Sequence, residues 1–419
     1  MRVKECEVVV LGGGPAGMAA AARAAGLGLN ALLLDNRETL GGIPLQCVHP
    51  GFGVHYFGED LTGTLFAYRL MEKVEKSGVE TLLKAHVHSI EVEAYDEKLV
   101  NVITREGVLR LRTKAIIYAT GARERTLFEL GVPGGRPAGV FTAGEAQLLM
   151  DLYGVLPGKE IVIVGSGDVG LIMARRFALE NAKVKAVVEI MPWPGGLMRN
   201  VVQCLMDFNI PLLLNHAVVG VVGRRRVEKV VVAKVDEELK PIEGTEFEIP
   251  CDTVVVAAGL RPNVDLLEKI GCSIDQATGG PIVNDLLETT IPGVFAAGNA
   301  LVINDLVDYA AEQGERAAEG AKLFVENGGL QTTDWIPVSR GRNVRLAVPH
   351  YMCTERDATI YARVLRPEKN VFVEIPELQV RKYVAAVRPA EMLRLKLTRE
   401  QLKQADGCDK ITLTVVPRE

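Results

Sequence analysis

Residues 7–35 read EVVVLGGGPAGMAAAARAAGLGLNALLLD, and this stretch decides the fold. Val8 to Leu11 form an apolar run that suits a parallel strand buried on both faces. Gly12, Gly14 and Gly17 follow as GxGxxG, with Pro15 and Ala16 between them. The first glycine permits a tight turn, the second lets a pyrophosphate approach, and the third lets helix and strand pack closely. An Ala-rich helix comes next, then a second apolar strand, Ala31 to Leu34, closed by Asp35. The carboxylate lies where an adenosine ribose hydroxyl needs an acceptor, and the helix N-terminus favours the pyrophosphate.

The pattern recurs. Residues 160–189 read EIVIVGSGDVGLIMARRFALENAKVKAVVE, with Gly165, Gly167 and Gly170 as the glycine turn, Asp168 at the helix start and Glu189 as the terminal acid. Residues 115–121 (AIIYATG) resemble residues 253–259 (TVVVAAG), and each follows a stretch that alternates like a β-meander, 85–112 and 217–249. The chain therefore reads as an internal duplication of one dinucleotide-binding unit. Glu189 would accept from a 2′-hydroxyl and repel a 2′-phosphate, so the second site is expected to prefer NAD(H) to NADP(H). A second site that serves as scaffold or holds a non-redox nucleotide remains the alternative.

The 419 residues suggest two or three domains. With 48 basic and 53 acidic residues the net charge is −5, and the longest basic run is Arg224 to Arg226, so a nucleic-acid binder is not expected. Seven cysteines at 6, 47, 204, 251, 272, 353 and 408 form no CxxC and no zinc-ligand spacing. That scattered, odd set suits a reduced, cytoplasmic protein, with no metal site expected. No room for a signal peptide precedes the first strand, and no apolar run reaches membrane-spanning length, so no direct membrane insertion is expected.

Two such units in one chain resemble the two-dinucleotide-binding-domain flavoproteins, the FAD-dependent pyridine nucleotide-disulfide oxidoreductase superfamily. The resemblance extends to Thr290-Ile291-Pro292-Gly293-Val294-Phe295-Ala296-Ala297-Gly298-Asn299, where the first domain resumes after the second has been inserted. It implies an α/β fold with two nested Rossmann-like domains. FAD would sit on residues 1–135 and 251–330, and NAD(H) on the inserted 136–250. The FAD contacts it implies are Gly12, Gly14, Pro15, Ala16, Gly17, Asp35, Asn36, Arg37, Gly42, Ile43, Gln46, Cys47, Val87, Ala119, Thr120, Gly121, Gly298, Asn299, Asp308 and Tyr309. Those for NAD(H) are Gly165, Gly167, Asp168, Gly170, Glu189 and Gly259. Members usually carry Asp where this chain has Asn299. The helix after it, expected over residues 305–325 with Asn304 or Asp305 as cap, would point its positive end at the flavin.

The redox dithiols of that superfamily are missing. Cys47 stands alone after the second strand, and Cys204 stands alone in the second domain. Cys47 is either a peroxide-reactive thiol in a self-contained NADH oxidase or peroxidase, or a small buried residue near the flavin. His49 and His55 are either proton donors or ordinary hydrogen-bonding histidines.

A narrower resemblance runs through residues 41–63 and 297–309. It is to NAD/FAD-dependent oxidoreductase subunits associated with glycerol-3-phosphate-dehydrogenase-like flavoproteins. These are similar to the flavin subunits of hydrogen cyanide synthase, opine oxidase and dye-linked proline dehydrogenase. It implies an electron-transfer subunit working between NAD(H) and a partner redox protein, glycerol-3-phosphate-dehydrogenase-like or iron–sulfur. A flavin subunit of an amine or amino-acid dehydrogenase, with a non-redox second nucleotide, is the third reading.

Composition shifts after Gly328-Gly329. Period-two alternation over 343–348, 359–364, 371–375, 380–384, 392–397 and 411–415 predicts a small β-sandwich over 331–419. It carries no acid–base constellation and reads as a docking or oligomerisation module, so an oligomer is expected.

Overall fold

The computed structural model describes residues 2–330 and 334–418. The chain divides into one unit of residues 1–122 with 262–419 and a second of residues 123–261. The sequence boundary at 331 lies outside the described residues. The inserted unit begins before 136 and ends after 250. Its limits fall at a two-stranded ribbon, where Ala122–Glu124 pairs with Leu260–Pro262. That pairing carries the chain in and out of the insertion, and neither strand is long enough to show as periodicity.

In the first unit, strand Arg2–Leu11 lies between Ala31–Leu34 and Gly107–Tyr118, parallel to both. Val294–Ala296, from the resumption segment, joins Gly107–Tyr118 in parallel. The meander strands His86–Ala94 and Glu97–Thr104 extend the same sheet. Helices Pro15–Gly26, Gly63–Ser77 and Val307–Asn327 supply the core on one face, with Val8, Val10, Met18, Phe66, Phe295 and Phe324 all buried there. Close packing of the first and last helices depends on a small residue. A Cβ at Gly314 would lie 2.0 Å from Ala16 O.

In the second unit, five parallel strands run in the order Val140–Thr142, Thr253–Val256, Glu160–Val164, Lys183–Glu189, Leu212–Leu214. Helices Ala143–Asp151 and Asp168–Leu179 cover one face, and the meander His216–Val222, Lys229–Lys234 and Phe247–Pro250 covers the other. This is a three-layer arrangement, with helices on one face of the parallel sheet and a β-meander on the other.

Residues 334–418 form two sheets. One has five strands in the order Tyr351–Met352, Ile336–Arg340, Ile411–Pro417, Glu368–Ile375, Val380–Val387. The other has three, Val344–Val348, Ala358–Val364 and Leu393–Leu397. Strands Ile336–Arg340 and Tyr351–Met352 escape the sequence pattern. Pro337 breaks the alternation in the first, and the second is only two residues long. Val344–Val348 departs from strict alternation, with Ala347 as buried as its neighbours Leu346 and Val348. A register shift between Val344 and Leu346 turns the strand so that Val344 and Ala347 join one core and Leu346 and Val348 another.

Candidate active site

Among the described residues, five helices have nine or more residues, and they fall into two classes. Gly63–Ser77 and Ala143–Asp151 are capped by Thr62 and Thr142, the latter in a full capping box with Glu145. Pro15–Gly26, Asp168–Leu179 and Val307–Asn327 have no side-chain cap. A helix start left without a side-chain acceptor keeps its first-turn N–H groups and positive dipole end for an external anion. These three are the helices that the duplicated motif and the resumption segment assign to cofactors. The expected cap at Asn304 or Asp305 is not made. The helix begins two residues later, at Val307, because both side chains have other partners.

At the first cradle, Gly12 turns with φ +105° and a Cβ there would meet Ala119 O at 2.4 Å. A Cβ at Gly17 would lie 1.7 Å from Gly12 O. Both glycines are demanded by the fold itself. Gly14 differs: its backbone is ordinary extended (φ −78°, ψ −175°), and a Cβ would have no heavy atom within 4 Å. The protein leaves a methyl-sized space there that it does not need, beside the N-terminus of an uncapped helix. A dinucleotide phosphate fits this opening.

Asp35 locks the turn. Its Oδ2 accepts from Gly13 N at 2.6 Å and its Oδ1 from Arg37 N at 2.7 Å. Each oxygen keeps a second lone pair for a ribose hydroxyl. Asn36 and Arg37 are exposed at the rim. Val87 lies just past Ala85, whose N–H donates to Asp35 O at 2.9 Å. Gly41 N donates to Gly13 O at 2.8 Å, and a Cβ at Gly42 would come within 2.9 Å of Gly14 Cα. Ile43 and buried Gln46 follow on a 3-10 turn.

The second cradle repeats this geometry. Gly165 has φ +93° with Ala257 O behind it, and Gly170 packs on Ala257 Cβ. At Gly167 a Cβ would make only ordinary contact, 3.4 Å from Ala257 O. Glu189 Oε2 accepts from Ser166 N at 2.9 Å and Ser166 Oγ at 2.5 Å, and Oε1 accepts from Met191 N at 2.9 Å. Gly195 N donates to Ser166 Oγ at 2.7 Å. Asp168 Oδ1 accepts from Leu197 N and Asn200 Nδ2, fastening the following loop. In both halves a Gly-Gly pair stands six residues past the acid, Gly41-Gly42 after Asp35 and Gly195-Gly196 after Glu189, and closes over the turn. Sequence reading missed this second shared spacing, although it is visible once the two acids are aligned. Gly259 (φ +99°) accepts from Arg125 N at 3.1 Å.

Several residues that hold the first cradle together are not evident from any motif. Asn263 N donates to Gly121 O and its Nδ2 to Thr120 O, while Thr120 Oγ1 donates to Asn263 O. Gln313, 1 % exposed, accepts from Gly298 N at 3.0 Å and exchanges amide hydrogen bonds with Asn304. Asn304 N in turn donates to Asn299 Oδ1 at 3.0 Å. Asn299 therefore sits at the end of an amide ladder.

Asp308, one of the implied FAD contacts, has its carboxylate engaged by backbone. It is 1 % exposed, and its carboxylate accepts from Gly53 N, His55 N and Tyr56 N. Its work is to hold the 53–56 loop against the helix start. Tyr309 is also buried, with its ring stacked on His55 at 5.9 Å and near Tyr361 at 5.8 Å. Cys47 is 8 % exposed, its Sγ donates to Ile43 O, and it packs so tightly on Gly63 that a Cβ there would lie 2.5 Å from its own. His49 Nδ1 is 2.9 Å from Pro50 O, beside the Phe52 ring. Burial pushes the thiols of Cys6, Cys204 and Cys251 up to about 11, which makes them poor nucleophiles. Among the described residues no cluster of His, Cys, Asp or Glu could hold a metal ion, and no helix is long and apolar enough to cross a membrane.

Comparison with known proteins agrees with this geometry. Residues 6–314 match the family described as pyridine nucleotide-disulphide oxidoreductase. An opine oxidase subunit from Agrobacterium tumefaciens is 28% identical over 336 residues, 76% of this chain and 65% of that protein. The CoA-dependent NAD(P)H sulfur oxidoreductase of Pyrococcus abyssi is 27% identical over 70% of this chain and 62% of its own. The chain thus spans less than two-thirds of the length of these relatives. Thioredoxin reductase of Lactococcus lactis superposes with a TM-score of 0.64 at 25% identity, over 77% of this chain and 99% of that one. L-proline dehydrogenase from P. horikoshii superposes at 0.54 and 20% identity, over 78% and 56%. Enzymes of the matched family use FAD and NAD(P)H, and the two cradles are where this chain can receive them. By its sequence match and its paired cradles, the chain belongs to the pyridine nucleotide-disulphide oxidoreductase family.

Proposed function

We propose that this chain is an FAD-dependent NAD(H) oxidoreductase without a redox dithiol, serving for electron transfer within a larger cytoplasmic assembly. The observation that carries the reading is the duplicated cradle. Two open glycine turns, each with an uncapped helix and a fixed carboxylate, occur in a chain whose Cys47 is buried and has no second cysteine at dithiol spacing. Bound FAD and NAD(H) would supply the hydride and electron chemistry, leaving binding, orientation and exclusion of water to the protein.

In this reading Gly14 and the first-turn N–H groups of Pro15–Gly26 hold the FAD pyrophosphate, with Asp35 on the adenosine ribose. Gly42, Ile43, Gln46, Ala119, Thr120, Gly121, Gly298 and Asn299 line the remainder. Gly167 and the start of Asp168–Leu179 serve NAD(H), with Glu189 discriminating against a 2′-phosphate. Electrons then leave to a partner redox protein, glycerol-3-phosphate-dehydrogenase-like or iron–sulfur. The likeness to one of the subunits of an opine oxidase supports a multi-subunit setting. The same likeness favours a second reading, a flavin subunit of an amino-acid or amine dehydrogenase whose second site holds a non-redox nucleotide. Burial of Cys47 against Gly63 argues against the peroxidase reading.

Dye-coupled turnover tests the proposal. Purified protein loaded with FAD should reduce a one-electron dye with NADH at a rate unaffected by thiol alkylation. Turnover with an amino acid or opine in the presence of a partner protein, and none with NADH, would favour the second reading.

A further inference from the structure

Residues 334–418 lie beyond the family match, yet part of this segment belongs to the core of the first unit. Leu346, Val348, Tyr361 and Met392 of the three-stranded sheet and its flank pack with Val8, Phe295, Ala310 and Ala311. The five-stranded sheet instead contributes to a separate core, with Val373, Ile411 and Leu413. One sheet therefore backs the cofactor domain, and one group of polar contacts from it and its flank falls on the passage from Asn299 into helix Val307–Asn327.

Arg363 Nη2 donates to Ile303 O at 3.2 Å and lies 3.5 Å from Asp305 Oδ1, while Asp305 Oδ2 accepts from Met392 N at 3.0 Å. Arg394 Nη2 donates to Glu312 Oε1 at 2.6 Å, and its guanidinium carbon stands 5.4 Å from the Tyr309 ring centroid. Tyr361, opposite Arg394 in the strand register, donates to Glu312 Oε2 at 3.4 Å. Tyr309 is thus boxed by His55, Tyr361 and Arg394. The pair Arg394–Glu312 is largely buried, at 19% and 22% exposure, so neither charge is dispensable alone.

We propose that Arg394 is a positioning residue of the flavin site. It fixes the first turns of Val307–Asn327 through Glu312 and Tyr309, so that the uncapped helix start presents its N–H groups to the flavin. The C-terminal sheet is then a built-in backing for the cofactor and not only a docking module. This rests on the flavin reading proposed above.

The test compares R394M, R394K and E312Q with R381M, which removes the Arg381–Glu374 pair on the five-stranded sheet. Each FAD-loaded protein is assayed for thermal midpoint, visible flavin spectrum, FAD dissociation constant and two-electron potential. R394M should weaken FAD about tenfold and move the reduction equilibrium at least threefold toward oxidised flavin. R394K should recover most of both effects. E312Q, which weakens the same contact from the helix side, should weaken FAD and move the equilibrium in the same direction as R394M but by less, and it covers the case in which R394M does not fold. R381M should lower only the thermal midpoint. If Arg394 and Glu312 variants retain wild-type affinity, spectrum and potential, the proposal is overturned. A wild-type protein that takes up no FAD would overturn the flavin reading itself, and this inference with it.

Discussion

Substituting Gly14 by Ala separates what the fold needs from what the ligand needs. Its φ of −78° and ψ of −175° are available to any L-residue, and the added methyl meets nothing within 4 Å. The free protein should therefore not suffer. Loss of glycine's freedom in the unfolded chain should stabilise it by about 0.4–1 kcal/mol. The same methyl projects into the space through which a pyrophosphate must approach the helix start. Losing one hydrogen bond to that charged group costs about 1.5–3 kcal/mol, or roughly 10- to 150-fold in FAD dissociation constant. The assay is reconstitution of apoprotein with FAD, followed by fluorescence quenching, with thermal midpoints of apo and loaded forms. The expected pattern is an apo midpoint equal to or above wild type and a smaller FAD-induced rise. Wild-type FAD affinity in G14A, or an apo midpoint several degrees lower, would refute the reasoning. Gly17→Ala makes the contrast. Its methyl would stand 1.7 Å from Gly12 O, so it should fail at the folding stage.

Three further outcomes are expected. E189Q removes the charge that repels a 2′-phosphate and places an amide NH₂ against donors from Ser166 or Met191; NADH should weaken and its preference over NADPH should fall about tenfold, since one charged contact is worth roughly 1.5 kcal/mol, read from kcat/KM for both nucleotides. C47S should leave NADH-driven dye reduction within about twofold of wild type, because a buried small residue acts through packing; abolished turnover would restore the thiol reading. Lys98, 0% exposed over the Phe324 ring, is lowered by burial to about 8, against about 10.4 unfolded. The folded state disfavours the ammonium, so the penalty is present below pH 8 and is relieved as pH rises to about 10.4. Urea denaturation should then show wild type gaining about 2–3 kcal/mol on K98M over that window. The raised thiols of Cys6, Cys204 and Cys251 act in the opposite sense in both proteins and cancel in the difference.

What the sequence made legible was local. Gly12, Gly14, Gly17 and Asp35, and Gly165, Gly167, Gly170 and Glu189, are read from spacing because each performs a backbone task within one βαβ turn. The partners that stabilise those turns come from far along the chain. Asn263 reaches Thr120 across 143 residues, and Asp308 reaches Gly53 across 255. No periodicity announces such contacts, and the sequence gives no sign that Asp308 clamps the 53–56 loop. The boundary of the inserted unit was obscured for a related reason. Residues 122–124 and 260–262 have meaning only as a pair. The C-terminal sheet read as a separate module because alternation reports that a strand has a buried face, not which core that face enters. Tyr361 and Met392 enter the core of the cofactor domain.

The most direct test of the central claim is anaerobic titration of the FAD-loaded protein with NADH and then NADPH, followed near 450 nm, where oxidised flavin absorbs. The account predicts bleaching at about one equivalent of NADH, with NADPH much slower because of Glu189. A yellow protein that neither nucleotide bleaches would contradict it.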